Sequence, residues 1–208
     1  MNQCNFSLDL LWSSDVTKEE AATAISAIAS VVRILPGEGK FQINTIPGGL
    51  ESYEQRAEIA ERNQLYADRI LTDFLFQRKE AQWKLAVSAR SITSRNNGGW
   101  LNFLFGLSGR GVAIVSTHQF RRELKDEKLR LLCLRRTIVH EFCHSLGLIP
   151  DSRKTNRDER LGLHCTNVCV MRQGLSVKEW AGHARQEEER GVILCPQCAG
   201  ELISLWSG

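Results

Sequence analysis

The residues able to do chemistry concentrate in one run, HEFCHSLGLIPDSRKTNRDERLGLHCTNVCVM, over positions 140–171. On a helix, residues four apart lie one turn above each other on the same face. His140 and His144 can therefore present two imidazole nitrogens to one cation, with Glu141 at the side, in reach of a water on that cation. The spacing suits hydrolysis, because a bound metal acidifies water and a nearby carboxylate can take its proton. Two ordinary helix histidines are the plain alternative. Burying two imidazoles and a carboxylate near the end of an apolar helix costs stability unless they are satisfied, and a cation satisfies them. A catalytic zinc needs three protein ligands. Position 150, where the spacing HExxHxxGxxH would put the third, is Pro150, which has no donor side chain. Asp151, His164 and His183 are the side chains that could complete the set.

Four of the seven cysteines form a CxxxC pair, Cys165 and Cys169, and a CxxC pair, Cys195 and Cys198. A helix-length segment separates the pairs. Four thiolates in this layout suit a closed, tetrahedral structural zinc. Reduced, unliganded core cysteines are the plain alternative. The C-terminal stretch is short and poor in apolar periodicity, so a metal staple would supply what a small core cannot. Two zinc ions per chain are thus expected, one catalytic and one structural. Cys4, Cys133 and Cys143 have no partner spacing and read as small buried hydrophobes.

The elements that must position these groups follow from pattern. FSLDLLW (6–12) and FQINTI (41–46) read as strands. Thr17 and Glu20 form a capping box that opens an Ala-rich helix reaching about Leu35. Ile59, Tyr66, Ile70 and Phe74 recur at helical spacing and predict one long amphipathic helix over about 52–79. WKLAVSA (83–89), WLNFLFG (100–106) and GVAIVST (111–117) predict three more strands, with glycines 98, 99, 109 and 111 turning the chain between them. A buried helix is expected over about 126–146, ended by Gly147. DSRKTNRDER (151–160) holds no apolar residue and reads as a solvated loop. A helix is expected over 176–190 and a short one after Cys198.

Composition narrows the partners. A chain of 208 residues, 42% hydrophobic and 25% charged, can build one core with a small appendage. A net charge of +3, with no basic or aromatic-stacking patch, disfavours nucleic acid and anionic membranes. The N-terminal run MNQCNFSLDLLWSS has no basic segment followed by an apolar one, and no apolar run is membrane-length, so a cytoplasmic protein is expected; it is taken as a monomer, a state these features do not address.

The motifs together resemble the archaemetzincins, a family of zinc metallopeptidases in the metzincin clan. That family carries HExxHxxGxxHC, a second Cys, CxM and a later CxxC. Here HEFCHSLG (140–147), LHC (163–165), CVM (169–171) and CPQC (195–198) match, with an insertion that moves the third histidine from position 150 to His164. RNQLYADRIL (62–71) and NFLFG followed by VAIVS (102–116) resemble the family's backing helix and paired strands. The resemblance favours His164 as third ligand over Asp151 and His183. It implies an α+β, metzincin-like fold: a twisted mixed five-stranded sheet, a backing helix, an active-site helix and a small zinc-stapled C-terminal subdomain. The expected division is residues 1–147 and 148–208. It further implies a peptidase acting on peptides or proteins, with Glu141 as general base for a water on zinc and Met171 forming an apolar floor beneath that metal. The strand near 100–106 should be the sheet edge along the cleft, to which substrate adds as another strand. No tyrosine follows Met171, so an extra tyrosine ligand is absent. The rival function is a non-catalytic zinc protein that binds a partner peptide through the cleft; a second is a zinc-ribbon-like nucleic-acid module.

Overall fold

A computed structural model of the chain describes residues 6–36, 41–79, 82–159, 162–191 and 193–207. Cys4 lies outside them, as do the last residue of the charged run and the one after it (160–161). In chain order the elements are β1 (Phe6–Trp12), α1 (Lys18–Val32), β2 (Phe41–Pro47), α2 (Glu51–Ala57), β3 (Glu58–Ile59), β4 (Gln64–Tyr66), α3 (Ala67–Gln77) and β5 (Gln82–Ser88). Then come β6 (Ile92–Thr93), β7 (Arg95–Asn96), β8 (Gly99–Trp100), β9 (Gly106–Gly109), β10 (Val112–Ser116), α4 (His118–Glu123) and α5 (Glu127–Ser145). The chain closes with β11 (Arg157–Asp158), β12 (His164–Cys165), α6 (Val177–Arg190) and α7 (Pro196–Trp206).

The main sheet is mixed and five-stranded, in the order β2-β1-β5-β10-β9. The first four strands run parallel and β9 joins β10 antiparallel at the edge. Alternation along the strands builds a core on each face. Leu8, Leu10, Leu85, Val87, Ala113 and Val115 point to the side holding α1 and α5. Leu11, Ala86, Val112 and Ile114 point to the side holding α3. The first core continues without a break into Cys165, Cys169, Met171, Cys195 and Leu202, so the C-terminal stretch packs on the same apolar centre. No helix among the described residues is long and apolar enough to cross a membrane.

The helix starts follow their caps. Thr17 and Glu20 close the capping box reciprocally on α1, a device that contributes about 1 kcal/mol. Asp126 caps α5 and Ser176 caps α6, each accepting from a backbone N–H three residues on. Gly147, at φ 92°, takes the left-handed turn that ends α5.

Four expectations need correction. The stretch 52–79 is two helices, not one. Between them Asn63 is left-handed at φ 50°, and Leu65 leaves helical geometry to pair with Ile92. The run 100–106 is mostly irregular. Phe103 and Phe105 pack toward Phe120 and Trp180, Leu104 bridges Ile92, and the edge strand begins only at Gly106. The charged run 151–160 is not wholly solvated: Arg153 is 4% exposed, and Arg157–Asp158 pair with His164–Cys165 as a small ladder. The helix around Cys198 is longer than expected, from Pro196 to Trp206.

Candidate metal centres

α5 carries His140 and His144 one turn apart and points both at β12, which carries His164. The three ring centroids stand 4.7 Å (140–144), 5.1 Å (144–164) and 5.2 Å (140–164) apart. One nitrogen from each ring falls within 4.8 Å of the others, so the three could hold a metal ion. Their tautomers suit that use. His140 Nδ1–H donates to the Val170 carbonyl at 2.8 Å, and His164 Nδ1–H donates to the Gly162 carbonyl at 3.2 Å. A carbonyl can only accept, so in both rings Nε2 carries the lone pair. Burial, reinforced by the neighbouring imidazoles, drives His140 well below the usual histidine range and His144 down to about 4. His140 and His144 are therefore neutral near pH 7, the form in which an imidazole can bind a metal. Asp151 is exposed and outside the cluster. His183 faces the Gln173 carbonyl at 3.3 Å, also outside it.

Glu141 is 7% exposed and lies against β9. Ser108 Oγ–H donates to its Oε2 at 2.7 Å. Burial raises its carboxyl to about 7, with the Ser108 bond pulling the other way. The approach of β9 is so close that a Cβ on Gly106 would lie 2.5 Å from Glu141 Cγ. Any side chain there would force Glu141 to shift. Gly106 closes the NFLFG run without marking itself as part of a site, and Ser108 belongs to no motif. A glycine inside a strand does signal a close approach of another group; Ser108 gives no such signal.

The second cluster is made of sulfur. Cys165, Cys169, Cys195 and Cys198 are buried, with all four Sγ atoms within 4.8 Å of one another. Cys195 caps α7, Pro196 fills its first turn, and Cys198 follows inside it. Cys165 reaches this cluster while His164, beside it, reaches the other, because neighbours on a strand point to opposite faces. Hydrogen bonds from the Cys169 and Cys198 thiols pull Cys165 down, and sharing a proton with Cys165 pushes Cys169 up to about 12. Such a nest of buried sulfurs resists holding several thiolates at once unless a cation joins them. Cys133 and Cys143 are single buried thiols; burial pushes Cys133 up to about 12 and Cys143 higher.

Residues 169–171 tie the two clusters together. Cys169 supplies a sulfur, the Val170 carbonyl holds His140, and the Met171 carbonyl accepts from the Cys165 N–H at 2.9 Å. Met171 itself is fully buried. Arg136, which belongs to no sequence motif, braces the chain just after Met171. Its Nη2–H donates to the Arg172 carbonyl at 2.6 Å, and its guanidinium lies 4.0 Å from the Trp180 ring, which stands 5.4 Å from His140.

No protein-family model matches the chain, and no curated protein matches it. Solved structures do. The archaemetzincin of Methanopyrus kandleri superposes with a TM-score of 0.72 over 100% of this chain and 99% of its own, at 18% identity. This chain has the archaemetzincin fold. A zinc-dependent peptidase from Methanocorpusculum labreanum agrees, with a TM-score of 0.65 at 20% identity over 94% of this chain and 99% of its own. Within that archaemetzincin fold the chain brings together two donor sets, three imidazoles and four sulfurs, and both suit zinc.

Proposed function

We propose that the chain is a zinc-dependent peptidase with His140, His144 and His164 as ligands of a catalytic zinc and Glu141 as general base. The observation that carries this reading is the meeting of three imidazoles, with His140 and His144 held neutral by burial, beside a buried carboxylate of raised pKa. Three imidazoles leave one corner of a tetrahedral ion open, unlike the closed four-sulfur set. A zinc ion bound there would supply a Lewis acid that polarises a peptide carbonyl and acidifies water.

The chain's own groups do the rest. The Val170 and Gly162 carbonyls fix two rings so that their Nε2 lone pairs converge. Ser108 holds Glu141 by Oε2, leaving Oε1 to take a proton from the attacking water. Glu141 then returns the proton to the departing amine. β9 pairs only with β10 in the main sheet, and its other edge is where an extended substrate would add as a sixth strand beside Glu141. Cys165, Cys169, Cys195 and Cys198 would hold a second, structural zinc, with Met171 under the catalytic one.

Metal content tests the reading directly. The purified protein should hold two zinc ions, and His164→Ala should hold one and lose hydrolysis of a peptide mixture. A wild-type protein that carries both ions yet cleaves nothing in a broad peptide library would defeat the peptidase assignment. Gly106→Ala tests the geometry around the base. The added methyl would displace Glu141, and a small misplacement of a catalytic group costs on the order of 100-fold. The expected result is a kcat lowered by about that factor, with zinc content unchanged by metal analysis.

A further inference from the structure

The inserted segment between α5 and His164 holds a buried cation. The Arg153 side chain is fully shielded from solvent. Its Nη1 and Nη2 donate to Cys198 Sγ, both at 3.5 Å, and Nη2 also donates to Cys165 Sγ at 3.7 Å. Nε stands 3.2 Å from Glu201 Oε1, an ion contact in which the N–H is not aimed at the oxygen. The surrounding backbone is pinned as well. The Arg153 N–H donates to the Pro150 carbonyl, and its own carbonyl accepts from Arg157 Nη1 at 3.1 Å. Farther along, Asn156 Nδ2 donates to Gln197 Oε1 at 3.0 Å, inside the CPQC turn.

A guanidinium is costly to bury without anions to meet it. Glu201 meets one nitrogen obliquely, and the two fork nitrogens face sulfur. The sulfurs they reach come one from each cysteine pair: Cys165 beside His164, and Cys198 on α7. Four thiolates around a zinc dication leave a buried net charge of about −2. A guanidinium beside them offsets part of that charge and donates to the sulfur lone pairs, as groups surrounding a metal site commonly do.

We propose that Arg153 is an integral part of the four-sulfur metal site, so that retention of the metal and docking of residues 151–158 depend on each other. This rests on the reading that the four sulfurs hold zinc, and is independent of whether the chain is a peptidase. The inserted segment thereby becomes a clasp over the metal cage, and its attachment fixes the path of the chain leading back to His164.

The test uses full-length, zinc-loaded protein carrying His164→Ala, so that only sulfur-bound zinc remains. Zinc release to pyridylazoresorcinol is followed by absorbance, and trypsin cleavage after Lys154 and Arg157 reports docking of the segment. Arg153→Met keeps the bulk and removes the charge. It should release zinc on the order of tenfold faster or more, the scale of a charge-assisted hydrogen bond, and should be cut by trypsin while zinc is still bound. Arg153→Lys keeps the charge without the planar fork and should fall between Met and the parent. It decides the matter if Arg153→Met fails to fold. Stripping zinc from the parent should expose the same two cleavage sites. Release and cleavage at parental rates in Arg153→Met, or in Arg153→Lys should that variant be needed, would overturn the proposal. A His164→Ala parent that holds no zinc would also overturn it, and would remove the structural zinc while leaving the peptidase reading standing.

Discussion

Glu141→Gln should lower peptide hydrolysis by about 10²- to 10⁴-fold while both zinc ions stay bound. Glutamine keeps the shape, and its carbonyl can still accept the Ser108 Oγ–H that Glu141 accepts at 2.7 Å. What it loses is basicity. No histidine ligand changes, so metal analysis should read as for the wild type. The same substitution should alter how zinc binding depends on pH. In the metal-free chain the Glu141 carboxyl is raised to about 7 by burial. A dication nearby favours the carboxylate, so zinc uptake below pH 7 must expel that proton. Affinity at the imidazole site should therefore climb as pH rises toward 7, by at most about tenfold per pH unit from this group, and level off above it. Glu141→Gln should flatten that rise. A glutamine variant cleaving peptides at the wild-type rate would remove Glu141 from the chemistry altogether.

Cys198→Ser should release one zinc ion and destabilise the whole fold. The four sulfurs are part of the largest apolar cluster, together with Leu8, Val139, Phe142 and Leu202, so an emptied cage leaves neighbouring elements without a fixed surface. Structural zinc sites contribute on the order of 10 kcal/mol in small domains. A loss of about 4 kcal/mol here would lower the melting temperature by about 10 °C for a chain of this size. Hydrolysis should fall too, because Cys165 is joined to His164 on β12. Calorimetry, metal analysis and a peptide assay read the three effects separately. Unchanged melting with unchanged zinc content would show that the sulfurs serve only as packing.

The parts of the site visible in the sequence were those fixed by local spacing. HEFCH on one helix, the capping box at Thr17 and the two cysteine pairs each rest on residues a turn or less apart, and the structure places them accordingly. That His164 meets His140 and His144 was foreshadowed because LHC and CVM follow HEFCHSLG in the order the resemblance implies. What stayed hidden depends on contacts between distant residues. The apolar spacing of Ile59, Tyr66, Ile70 and Phe74 fits a helix, yet Leu65 is drawn out of helical geometry by its pairing with Ile92. WLNFLFG has the composition of a strand, but Phe105 stacks on Phe120 at 5.0 Å and lies 5.1 Å from Trp180, contacts a flat strand would not make. The true edge, Gly106–Gly109, has weak strand propensity because two of its four residues are glycines and one is serine, with Gly106 and Ser108 lying against Glu141. Arg153 sits in a run whose charge suggests water, and the sulfurs that draw it inward lie up to 45 residues away.

The adjacency of His164 and Cys165 on one two-residue strand would, in the proposed two-zinc reading, couple the filling of one site to the shape of the other. Soft sulfur donors grip zinc more firmly than an open imidazole tripod. As zinc becomes scarce, the chain would fill its sulfur cage first and stand complete but idle. The last ion to arrive would find His164 already delivered, and its arrival alone would turn a finished scaffold into a working one.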